Sequence, residues 1–293
     1  MTKKVLFIGL TTVDIQYFID KIPESNEKIK TDPPLVYVGG PAANAAITFS
    51  FLGGNVDFIT CIGNNPFTKF IFDDLNKHNI NVIDFKKQLN FSPIISSILT
   101  TIENSDRSII SHLPANIDSV QEEISSINFD NYNLVFTDGF YPEMAVPLCK
   151  KAKAAGIPVI LDGGSWKPRM SEILQYVDFA ICSNNFFPPN CSTSIEVIDF
   201  LKNIGIKNVA ISRGEKSIYY SNNKDTNTIE IETVDTKDTL GAGDIFHGAF
   251  VMYWLTEKEF EVALIQASKI ATYSTRFKGT RSWMKAFIQK VTI

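Results

Sequence analysis

From residue 117 to residue 212 the chain alternates helical periodicity with short apolar runs, and this rhythm restricts the fold more than any other feature. Residues 117–127, 142–155, 170–176 and 195–204 carry helical spacing, with Ile195, Ile198, Leu201 and Ile204 on one face of the last. The runs at 134–137, 157–162, 179–183 and 208–212 read as parallel strands buried on both faces, joined by those helices. The chain is therefore predicted to be α/β, with a mostly parallel sheet flanked by helices. Such sheets collect ligands at the carboxyl ends of their strands. Here those ends read Asp138-Gly139, Asp162-Gly163-Gly164, Ser183-Asn184-Asn185 and Ser212-Arg213-Gly214.

The N-terminal part has a different rhythm. Residues 5–10 form a first buried strand, and Asp14 follows it, placed either at a ligand crevice or at a solvated strand edge. Residues 15–19 and 28–38 read as extended, around the turn Pro23-Glu24-Ser25-Asn26. Residues 92–101 and 107–113 read as a hairpin through Glu103-Asn104-Ser105-Asp106. None of these segments has a helix partner, so together they predict a second, smaller sheet. Gly39-Gly40-Pro41-Ala42-Ala43-Asn44 opens a helix over 42–52 that stops at Gly53-Gly54. Asn44 in that alanine-rich turn is either a local hydrogen bonder or a ligand for a polar substrate. Strands over 56–62 and 82–85 flank a helix over 66–78. Segments 218–220 and 228–234, joined by a polar turn over 221–225, finish the sheet antiparallel. Helices over 245–255, 257–276 and 283–290 end the chain.

Composition excludes several classes. With 293 residues, 44% hydrophobic and 20% charged, the chain suits one soluble domain with a sizeable core. A net charge of -4 with scattered Lys and Arg argues against nucleic acid or an anionic membrane as partner. Cys61, Cys149, Cys182 and Cys191 form no CxxC pair, so they read as thiols of a reducing compartment. The first residues read as a strand rather than a signal-peptide core, and no run reaches membrane-spanning length. A cytoplasmic protein is expected.

One stretch carries chemistry: Asp238-Thr239-Leu240-Gly241-Ala242-Gly243-Asp244, just ahead of an apolar helix. Glycines let backbone amides approach a ligand, and a helix N-terminus favours an anion. Asp244 adds a carboxylate there. An anion cradle beside a base suits phosphoryl transfer to a hydroxyl; a capped helix start is the plainer alternative.

Residues 39–44 and 238–244 together resemble the two signatures of the ribokinase (PfkB) family of sugar kinases, and the resemblance covers nearly the full chain. Residues 9–14, the Gly-Pro-Ala-Ala turn, Asp244-Ile245-Phe246-His247-Gly248 and Thr275-Arg276-Phe277-Lys278-Gly279 look closest to its ketohexokinase and sulfofructose kinase branch. The resemblance implies one three-layer, Rossmann-like domain over 1–293 with a small β-sheet lid from segments about 13–38 and 92–113. It implies an ATP-dependent kinase acting on the hydroxymethyl group of a ketose-like sugar. Asp244 would be the base, and the amides of Gly241, Ala242 and Gly243 would hold the γ-phosphate. Asp14, Gly39, Gly40 and Asn44 would hold the sugar. Asn184, Ser212, Arg213, Gly214 and Ser217, with Gly241 and Gly243, would line the nucleotide site. Magnesium would arrive with ATP, without a dedicated set of protein ligands. Some relatives also use a monovalent cation near the loop containing Asp238.

Departures are equally specific. Asn184 is not followed by the glutamate of the family's Asn-x-x-Glu motif, Ser217 replaces a loop glycine, and Leu240 stands where threonine is usual. Lys28, Arg107 and Asp138 are further candidates for the substrate pocket. His247 reads as a packed histidine, because Asp244 already supplies the base. Two other functions stay open: a nucleoside kinase, with Tyr17, Phe18 and Tyr37 near the lid to stack a base, and a non-catalytic sugar or nucleotide sensor. Exposed lid edges suggest a homodimer.

Overall fold

The computed structural model describes residues 3–87, 89–112, 117, 120–222 and 225–291. β1 (Lys4–Ile8) enters the main sheet, and β2 (Thr12–Ile19) and β3 (Leu35–Gly39) leave it for a second one. α1 (Pro41–Phe51), β4 (Asn55–Thr60), α2 (Thr68–Lys77) and β5 (Ile80–Asp84) return to the main sheet, and β6 (Ile94–Thr101) and β7 (Arg107–Ser111) complete the second. The alternating stretch follows: α3 (Gln121–Ser126), β8 (Leu134–Thr137), α4 (Pro142–Ala154), β9 (Val159–Gly163), α5 (Met170–Leu174), β10 (Phe179–Ser183), α6 (Ser194–Asn203) and β11 (Asn208–Arg213). β12 (Lys216–Asn222), β13 (Thr226–Ile229), α7 (Ala242–Glu257), α8 (Phe260–Ser274) and α9 (Ser282–Val291) end the chain.

The main sheet has nine strands in the order β13-β12-β11-β10-β9-β8-β1-β4-β5. The seven strands from β11 to β5 run parallel, and β12 and β13 are antiparallel. β1 shows why there are three layers. Val5 and Phe7 face a core shared with α1, α2, α7 and α8, while Leu6 and Ile8 face a core shared with α3 to α6. All four are 0% exposed, and full burial of each is worth about 1.5–3 kcal/mol. β1 lies between β8 and β4, so the order reverses beside it. The crevice at its carboxyl end is where such sheets bind ligands.

The second sheet runs β3-β2-β6-β7. β2 pairs antiparallel with β3 and parallel with β6, and β7 closes it antiparallel. Its inner face turns Asp14, Gln16, Ser96 and Thr100 toward the main domain, all buried. α1 and α7 approach closely because their facing residues are small: a Cβ on Gly248 would sit 2.3 Å from the Ala45 carbonyl oxygen. Closeness of these two helices brings Asn44 to Asp244.

Several element bounds differ from the sequence reading. Of residues 28–38 only Leu35–Gly39 is strand, because Pro33 and Pro34 have no amide to donate to a ladder. In the segment 117–127 only Gln121–Ser126 is helix; Asp118 and Ser119 lie outside the described residues, as do Leu113 of the hairpin and Asn223 and Lys224 of the later turn. The last strand is Thr226–Ile229 rather than 228–234. The helix read over 257–276 begins only at Phe260, since Lys258 ends α7 in the left-handed region at φ 60°. No helix among the described residues is long and apolar enough to cross a membrane.

Candidate active site

The site is built where the loop after β1, the Gly-Gly turn and the start of α7 meet. Gly39 is required by Asp14: a Cβ there would lie 1.9 Å from Asp14 Oδ2. Gly40 is required twice, by its φ of 99° and by the Leu10 carbonyl oxygen 2.4 Å from where a Cβ would be. The turn thus lays backbone directly beside the Asp14 carboxylate. Thr12 Oγ1 donates to Asp14 Oδ1 at 2.6 Å. Burial raises the Asp14 carboxyl above its ordinary value, opposed by the Thr12 hydrogen bond and the positive charge of Arg281.

Asn44, in the second turn of α1, donates from Nδ2 to Asp244 Oδ2 at 2.7 Å. Its Oδ1 is buried and without a partner, an arrangement that is costly unless something else donates to it. Burial and the nearby Asp162 charge raise the Asp244 carboxyl from 3.8 to about 7. The Asn44 hydrogen bond and the His247 ring oppose that rise. Asp244 therefore stands near the protonation balance that suits a general base at neutral pH.

Beyond Asp244 opens a cleft of about 640 Å³. Asn184, Ser212, Arg213, Gly214, Ala242 and Gly243 line it, so the carboxyl ends of β10 and β11 meet the start of α7 as the strand-end reading expects. Gly241 precedes α7 at φ 68°, and a Cβ on Gly243 would meet nothing within 4 Å, leaving room above its backbone. The Ala242 amide already donates to the Thr239 carbonyl at 3.2 Å.

Four expected site residues stand elsewhere. Asp138 is 1% exposed. Its Oδ2 accepts from the amides of Leu10 at 2.8 Å and Ala42 at 3.2 Å, and its Oδ1 from that of Phe140 at 3.0 Å. Those bonds occupy the carboxylate, so Asp138 ties the β1 loop to α1 and to the turn after β8. Ser217 does not line the cleft; its carbonyl and hydroxyl accept from Arg213, whose guanidinium lies 3.7 Å over the Tyr219 ring. Arg107 donates to Thr239 Oγ1 and lines the cleft beside the loop 238–243 rather than beside Asp14 and Asn44. Lys28 stays outside this group, on the exposed segment between β2 and β3.

Sequence reasoning missed the struts behind the site. Gln16, 0% exposed, donates to Asp238 Oδ2 at 2.8 Å and to Thr100 Oγ1 at 2.9 Å, and accepts from the Tyr37 hydroxyl. Asp238 Oδ2 also accepts from the Gly279 amide at 2.8 Å. The second sheet is thereby fastened to the loop that begins at Asp238. Arg281 donates to the Val38 carbonyl at 2.7 Å and lies over Tyr37. A polar residue in the middle of a strand, as Gln16 is, was the signal available for the first of these; Arg281 had none beyond following Gly279-Thr280.

Comparison with known proteins adds independent findings. A profile described as "pfkB family carbohydrate kinase" matches residues 2–286. A ribokinase of Dictyostelium discoideum is 26% identical, covering 96% of this chain and 97% of that protein. Among solved structures, Arabidopsis thaliana ribokinase in complex with ribose and ATP is similar with a TM-score of 0.77 at 20% identity, over 100% of both chains. Adenosine kinase from Sinorhizobium meliloti is similar with a TM-score of 0.82 at 16% identity, over 99% of this chain and 100% of that one. None of these distinguishes the ketohexokinase and sulfofructose kinase branch.

Proposed function

The chain belongs to the pfkB family of carbohydrate kinases, phosphotransferases with an alcohol acceptor, and from that premise we propose that it transfers the γ-phosphoryl group of ATP to a primary hydroxyl of a sugar, with Asp244 as the base. One observation carries this reading: Asp244 joins the sugar-side residue Asn44 to the open backbone of Gly243 at the cleft. Asp244 takes the hydroxyl proton while the hydroxyl oxygen attacks phosphorus and the bond to the departing ADP breaks. The Gly241 and Gly243 backbone and the start of α7 stabilise charge on the moving phosphoryl. Arg107 and Arg213 supply positive charge along the cleft. Mg²⁺ would be carried by the ATP phosphates and water, where it would screen phosphate charge.

The sugar side is made of acceptors. The Asp14 carboxylate and the unpartnered Asn44 Oδ1 both call for donors, and neighbouring sugar hydroxyls supply them. A ketose-like sugar remains our choice, on the motif resemblance. Base stacking for a nucleoside has less support, because the Tyr37 hydroxyl bonds Gln16 and the Lys278 ammonium covers the Phe18 ring at 4.6 Å. The second sheet acts as the lid. Its outer face carries the cross-strand row Val36, Ile15, Ser97 and Ile110, with Val36 48% and Ile110 69% exposed, and we assign it to a homodimer contact in the cytoplasm. An ATP-coupled assay across aldoses, ketoses, their anionic derivatives and nucleosides tests the reading. Turnover confined to nucleosides, or with none of these, overturns it.

A further inference from the structure

His247 lies one turn into α7, is 4% exposed, and is held by more polar partners than a packed histidine needs. Its Nδ1 is 2.7 Å from the Gly243 carbonyl oxygen, and its Nε2 is 3.1 Å from the Ile181 carbonyl oxygen on β10. Both are acceptors. A neutral imidazole has one N–H to give; the ring that donates to both carbonyls is the imidazolium. Asp162 Oδ2, from the end of β9, stands 3.6 Å from Nδ1 as the matching anion. The Phe136 ring from β8 closes the other side, with centroids 5.9 Å apart.

We propose that His247 is a cationic positioning residue: it pins the Gly243 carbonyl to the central sheet and sets a positive charge between Asp162 and the loop that carries Asp244. This inference rests on Asp244 being the base. The charges facing that carboxylate are Asp162 from β9, His247 from α7, Asp14 from β2 and Arg281 ahead of α9. Two carboxylates thus press against ionisation, and burial presses with them. His247 and Arg281 are the cations that counter it, and His247 is the one bonded to the phosphate loop itself.

The test reads Asp244 without turnover, by ¹³C NMR titration of its carboxyl in the full chain free of ligands, with ¹⁵N NMR of the His247 ring in the same protein. Both ring nitrogens should show N–H signals at neutral pH. In His247→Gln, which keeps one donor and loses the charge, the Asp244 midpoint should rise by about one pH unit, and the acid limb of kcat should move with it. Should His247→Gln fail to fold, the ring spectrum of the parent decides alone. A ring with a single N–H, or an Asp244 midpoint that does not rise, overturns the proposal. Failure of the base reading shows separately, as turnover surviving in Asp244→Asn.

Discussion

Asn44 Nδ2 donates to Asp244 Oδ2 at 2.7 Å across 200 residues of sequence, joining the two glycine-rich motifs in one hydrogen bond. That bond favours the ionised carboxylate, and the unpartnered Asn44 Oδ1 beside it awaits a donor. Asn44→Leu removes both. The sugar KM should rise at least tenfold, the ATP KM should hold, and the acid limb of kcat should shift upward. Steady-state kinetics over a pH series checks all three.

Gly39→Ala isolates the backbone contact with Asp14. The Gly39 φ is compatible with alanine, yet its methyl would fall 1.9 Å from Asp14 Oδ2, so the carboxylate has to move. The expected result is a raised sugar KM, by about tenfold to a hundredfold (about 1.4–2.8 kcal/mol), with ATP binding unchanged by titration calorimetry.

Arg107 separates the two sides of the site. Because it reaches Thr239 and the cleft, Arg107→Gln should lower kcat or raise the ATP KM by about tenfold or more. The sugar affinity measured without nucleotide should stay within twofold of the parent.

The fold was legible wherever one period dominated. β8 and β10 match their sequence bounds because short apolar runs between helices have few other destinations. The two motifs were legible because glycine, proline and aspartate at fixed spacing carry their own geometry. What escaped were relations made by the tertiary structure. Asp138 sits at a strand end like a pocket residue, yet backbone amides from three segments consume its carboxylate. Arg107 belongs to the second sheet but reaches Thr239, and Gln16 bonds Asp238, which is 222 residues away. No local pattern encodes such pairings.

Asp244 also makes a prediction about stability. Its folded value, about 7, lies above the ordinary 3.8. Between those values the folded chain holds a proton that the unfolded chain has released. Stability therefore falls as pH rises from about 4 to about 7 and stays lowered above that. Asparagine cannot ionise, so Asp244→Asn should raise Tm at pH 8 and change it little at pH 4. Equal Tm shifts at both would contradict the burial of charge at this position.

The central claim is that Asp244 moves the proton. Asp244→Asn keeps the shape and can still accept from Asn44 Nδ2, but it lacks the base. With the sugar that the assay panel identifies, kcat should drop by about 10²–10⁴-fold, while the Kd for an ATP analogue stays within a factor of about three by titration calorimetry. A variant that retains a tenth or more of the parent kcat would contradict the account.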